Sequence, residues 1–136
     1  MRFLHCADIH LGYQQYNHKE RFNDFGRAFY AVIDEALARA RFWTDHRAVP
    51  LNEMQRRVLC RMLDAGPGRF DGGLTARKYT VITGTTRVTA SRHIADLLEK
   101  GLIVRAAGPS GRSTRYDLAL PGWEWRPPMK RRAAAE

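Results

Sequence analysis

Leu74-Thr75-Ala76-Arg77-Lys78-Tyr79-Thr80-Val81-Ile82, then Gly84, then the run from Thr86 to Gly101, is the stretch on which the fold reading turns. The first part reads as a short helix with Thr75 as its N-cap, because a threonine hydroxyl satisfies amides that the first turn leaves free. Gly84 supplies a tight turn, and Thr85 or Thr86 caps the next helix. That helix runs through Leu98 and Glu99, with Gly101 as its C′ stop. Ala90, Ile94, Leu97 and Leu98 fall on one face at i, i+4, i+7 and i+8, so this face should seek a core. Upstream, Asn52 and Gln55 have capping-box spacing, and Val58, Leu59, Met62 and Leu63 form a helical apolar stripe that closes before Gly66-Pro67-Gly68. Downstream, Leu102–Arg105 reads as a strand, Gly108–Gly111 as a turn and Ser113–Leu118 as a returning strand.

Helix, helix, glycine turn, helix and hairpin is the order of a winged helix-turn-helix. The expected class is therefore α+β, with three helices and a β-hairpin preceded by a strand-turn-helix fragment. In such a module the second helix of the pair places its first residues nearest the base edges of DNA. Arg87, Thr89, Ser91 and Arg92 occupy those positions, Arg77 and Lys78 lie on the preceding helix, and Arg112 and Arg115 flank the hairpin tip. These side chains suit phosphate and guanine edges, which makes them candidate contacts to double-stranded DNA. Surface arginines also serve solubility, and winged helices also dock proteins. Trp123 and Trp125 are expected to pack across the domain edge.

The chain has 136 residues and a formal net charge of +9. Residues 1–50 contribute +1 and residues 51–136 contribute +8, so a polyanion should be attracted to the later part. No apolar run approaches the roughly 18 residues of a membrane span. With two cysteines, Cys6 and Cys60, and no secretory pattern at the start, the expected location is the cytoplasm.

Phe3-Leu4-His5-Cys6-Ala7-Asp8-Ile9-His10-Leu11-Gly12 reads as a short buried strand ending in a turn. Asp8 and His10 are two residues apart and so share one side of a strand. A carboxylate beside an imidazole is a mixed ligand pair suited to manganese, zinc or iron. Asn23 is the expected N-cap of a following helix, along which Ala28, Phe29, Val32, Ile33, Ala36 and Leu37 form an apolar stripe. That stripe must bury itself on the later domain, on a second copy of the chain, or nowhere, which makes a homodimer through residues 25–40 a candidate association.

Residues 3–16, continued by Glu20-Arg21-Phe22-Asn23-Asp24-Phe25, resemble the start of SbcD-type DNA-repair nucleases, which are calcineurin-like metallophosphoesterases. The resemblance covers about the first 40 residues. It implies that Asp8 and His10 are the first two ligands of a two-metal centre that activates water against a phosphodiester. The later Gly-Asp, Gly-Asn-His-Asp and Gly-His motifs of that family have no counterpart among the remaining residues. Two ligands hold a divalent ion weakly, so Mn2+ or a similar ion is expected only where other ligands complete the site.

A second resemblance rests on Phe42-Trp43, Pro50–Leu59, Gly72–Tyr79, Ala95–Leu102 and Gly111–Leu118. These segments are similar to the C-terminal winged-helix part of certain bacterial Fic-family proteins. The His-Pro-Phe-x-Asp-Gly-Asn-Gly-Arg loop by which Fic enzymes transfer AMP is not in the sequence, so the resemblance implies an accessory domain and not the transferase. The expected division is a metallophosphoesterase-like segment at 1–40, a winged-helix domain at 42–125 and a basic tail at 126–136. Taken together, the sequence points first to a non-catalytic, regulatory DNA-binding module. The alternatives are a metal-dependent DNA nuclease remnant and a protein-interaction or dimerisation domain of Fic type.

Overall fold

A computed structural model describes residues 19–106 and 114–124. The Asp8–His10 strand, the hairpin tip with Arg112, Trp125 and the basic tail lie outside the described residues. The chain divides into two units, residues 1–47 and residues 48–136.

The first unit contains helix α1, Lys19–Asp45. It begins four residues before Asn23, which corrects the expected cap. Lys19, Glu20 and Arg21 are good helix formers and carry the helix past a residue whose own propensity is only mildly unfavourable. The residues from Ala38 to Trp43 continue the same helix. Phe29, Val32, Ile33 and Ala36 are half-buried, while Tyr30 and Leu37 are 69% and 48% exposed. Phe42 is buried, with the Trp43 ring edge-on at 5.4 Å and the His46 ring at 4.8 Å. His46 Nδ1 lies 2.8 Å from the Phe42 carbonyl, which also accepts from the His46 backbone amide at 3.2 Å.

The second unit follows the periodicity more closely. Helix α2, Glu53–Ala65, starts in a full capping box: Asn52 Oδ1 accepts from the Gln55 amide at 2.8 Å, and Gln55 Oε1 accepts from the Asn52 amide at 3.1 Å. Helix α3, Ala76–Thr83, is capped by Thr75, and helix α4, Arg87–Glu99, by Thr86. Gly84 closes α3 in the left-handed region at φ 71°, where a side chain would be strained. Strands β1, Ile103–Arg105, and β2, Tyr116–Leu118, pair antiparallel with Ile103 opposite Leu118 and Arg105 opposite Tyr116. Leu74 bridges to Tyr116 through two backbone hydrogen bonds of 2.7 and 2.9 Å, so the segment before α3 is tied to the edge of the hairpin.

The architecture is thus mixed α and β, with four helices and one small antiparallel sheet among the described residues. Within the second unit α2 packs on α3, α3 on α4, α4 on β1 and α2 on β2. The inward faces contribute Val58, Leu59, Met62, Leu63, Leu74, Tyr79, Ala90, Ile94, Leu97, Leu102, Ile103 and Leu118, all buried. Trp123 is buried after β2, matching its expected packing role. Among the described residues no helix is long and apolar enough to cross a membrane.

Candidate functional site

Three helices of the second unit meet at a polar node that local sequence patterns do not announce. Gln55, buried on α2, donates from Nε2 to Asp96 Oδ2 at 2.5 Å, and Lys100 Nζ donates to the same oxygen at 2.6 Å. Lys100 also donates to the Pro50 carbonyl at 2.8 Å. These donors hold the Asp96 carboxyl below its ordinary range, Lys100 contributing most and Gln55 next. His93 bridges the other side, with Nδ1 2.8 Å from the Tyr79 hydroxyl and Nε2 3.3 Å from Asn52 Nδ2. Because Asn52 Oδ1 is taken by the Gln55 amide, Nδ2 is the donor to His93 Nε2. The network therefore assigns the ring proton to Nδ1, which donates to Tyr79. Burial pushes the Tyr79 phenol up to about 12, with the Asp96 charge adding to the effect. The node locks α2, α3 and α4 together, and His93 serves there as a structural residue.

The basic side chains singled out in the sequence have different surroundings. Lys78 folds back: its ammonium donates to the carbonyls of Asp71 and of Gly73, the latter at 2.9 Å, and it lies 5.0 Å over the Phe70 ring. Thr89 is tied to the α4 cap, its hydroxyl 3.0 Å from that of Thr86. Arg77, Arg87, Ser91, Arg92 and Arg115 are exposed. Arg77, Arg87 and Ser91 line one cavity of about 300 Å3, and Arg105 from β1 joins them. Arg105 belongs to a strand in the sequence pattern, and the packing of α4 on β1 brings it to the two helix-borne arginines.

Asp8 and His10 lie outside the described residues. Among the described residues no three His, Cys, Asp or Glu side chains gather in a way that could hold a metal ion.

No family model matches the chain. A stretch of 37 residues is similar to the N-terminal region of DNA double-strand break repair proteins Mre11. The identity is 49% with the protein of Archaeoglobus fulgidus and 51% with that of Methanococcus maripaludis. In each case the match covers 27% of this chain, and respectively 8% and 10% of the relative. With the protein of Halobacterium salinarum it is 53% over 36 residues, covering 26% of this chain and 9% of the relative. The chain thus spans about a tenth or less of the length of these relatives.

These similarities agree with the metallophosphoesterase resemblance of the opening segment, and they give no support to the Fic-type resemblance of residues 42–123. They also correct the leading functional expectation. A non-catalytic, regulatory DNA-binding winged-helix module is not what the chain's relatives point to; they favour the nuclease alternative. Charge near a hairpin is common to many small basic domains and does not by itself assign a function.

Proposed function

We propose that residues 1–40 carry the first metal-ligand motif of a divalent-metal-dependent DNA phosphoesterase, with Asp8 and His10 as two ligands of one ion. The observation that carries this reading is the 49–53% identity, over 36–37 residues, with DNA double-strand break repair proteins. Aspartate and histidine in an Asp-x-His pair form a donor set suited to Mn2+. When bound within a completed centre, such an ion activates water against a phosphodiester; the partner implied is DNA. Asp8 and His10 alone would leave the ion mostly hydrated, so hydrolysis depends on ligands contributed from elsewhere.

The test is a Mn2+ titration of the full chain followed by electron paramagnetic resonance. A weak saturable site that disappears in Asp8→Ala and in His10→Ala supports the reading. Identical titrations in all three proteins refute it.

The same reading places the division after α1, between the units 1–47 and 48–136, and not at residue 41, which falls inside that helix. A winged-helix topology for the domain is supported by the Leu74–Tyr116 bridge beside the β1–β2 hairpin and by the α2, α3, α4 order. Self-association through residues 25–40 is supported by the exposed Tyr30 and Leu37 on α1. Size-exclusion chromatography with light scattering checks it: a dimer reduced to monomer by Leu37→Glu is expected, and a monomeric parent chain removes the idea.

A further inference from the structure

We infer that the cavity between the first turns of α3 and α4 and the strand β1 is a binding site for a phosphomonoester carried on a small, partly apolar organic body. Three guanidinium groups line it: Arg77 from the first turn of α3, Arg87 from the first residue of α4 and Arg105 from the end of β1. None of these side chains makes an ion pair or a hydrogen bond among the described residues. No carboxylate lines the cavity among the described residues. Three like charges around one hollow repel one another, and a dianion placed between them removes that repulsion while accepting several charge-assisted hydrogen bonds. A guanidinium pairs two N–H donors with two oxygens of a carboxylate or a phosphate, and only the phosphate keeps a further oxygen and a second charge for the other arginines.

The remaining wall explains why the ligand carries an organic body. Ile94 and Leu98 of α4 give the cavity an apolar side, while Ser91 and Tyr116 offer hydroxyls beside the arginines. A volume of about 300 Å3 stands at the lower end of ordinary small-molecule sites, roughly 300–1,000 Å3. A terminal phosphate with one ring attached fits a hollow of this kind, whereas a duplex backbone presents its phosphates along a convex ridge. The inference is independent of Asp8 and His10 and of the Mn2+ reading.

Phenyl phosphate, inorganic phosphate and a duplex oligonucleotide are titrated into the full chain by calorimetry. Phenyl phosphate is expected to bind saturably and more tightly than inorganic phosphate. Arg87→Ala and Arg105→Ala should each weaken it about tenfold, the loss of one charge-assisted contact. Arg57→Ala removes the same charge from an exposed position on α2 outside the cavity and should leave binding unchanged. Chemical-shift changes in the parent chain provide a readout without any substitution, and they should centre on Arg77, Arg87, Ser91 and Tyr116. Equal weakening by Arg57→Ala, no preference over inorganic phosphate, shifts elsewhere, or duplex binding without phenyl phosphate binding would each overturn the inference.

Discussion

The opening segment and the second unit of this chain carry information of opposite kinds. Residues 1–40 hold Asp8 and His10, the proposed metal ligands, and a 37-residue stretch of the chain is similar to DNA double-strand break repair proteins. The helix that follows the motif, α1, leaves Tyr30 and Leu37 open to solvent. Residues 48–124 close a core around Leu59, Leu97 and Leu102 and seat three helices on a polar node, yet the family likeness lies elsewhere. A described core and a similarity to known proteins need not reside in the same residues.

The largest effect separating the two units should come from paired truncations. Leu59→Ala is expected to cost about 2–5 kcal/mol, because it empties fully buried space, and Leu37→Ala less than about 1 kcal/mol. Urea unfolding of the full chain measures both, and equal losses would break the contrast. Gly73→Ala comes next. Gly73 sits at φ 67°, and an added Cβ would lie 3.1 Å from the Tyr116 carbonyl oxygen and 3.2 Å from Asp117 Oδ1. Strain of this kind costs on the order of 1–3 kcal/mol, and it should loosen the Leu74 bridge, as seen by faster exchange of the Leu74 and Tyr116 amides.

The pH dependence sharpens the comparison most finely. Tyr79 titrates higher in the folded chain than its ordinary value of 10.0, so its contribution to stability is full below pH 10 and is lost as pH rises toward about 12. Asp96 titrates lower than its ordinary 3.8, so its contribution is present above that pH and lost as the solution becomes more acidic. Thermal melts across pH should therefore fall at both ends, with Tyr79→Phe flattening the alkaline limb and Asp96→Asn the acid one. An unchanged profile in both variants would remove the node from the account.

Much of the second unit was legible because its signals are local. Asn52 with Gln55, Thr75, Thr86 and Gly101 bound their helices where the chain says they should, since caps act within three or four residues. Asn23 misled because a cap-forming residue tolerates a helix interior once its neighbours propagate the helix. The node was illegible for a different reason. Gln55 has a local role as a capping residue, and its bond to Asp96, 41 positions away, leaves no periodic trace. Arg105 was missed likewise, since its neighbours are set by packing across elements. In the opening segment Asp8 and His10 lie outside the described residues, and their role as ligands stays a proposal.

The central claim is that metal chemistry belongs to the opening segment and stability to the second unit. Its most direct test is a Mn2+ titration of the full chain beside the Asp8→Ala, His10→Ala double variant, with the melting of each protein followed in parallel. The account predicts a weak Mn2+ site in the parent, none in the double variant, and the same melting transition in both without metal. Mn2+ binding that survives the double substitution would contradict it.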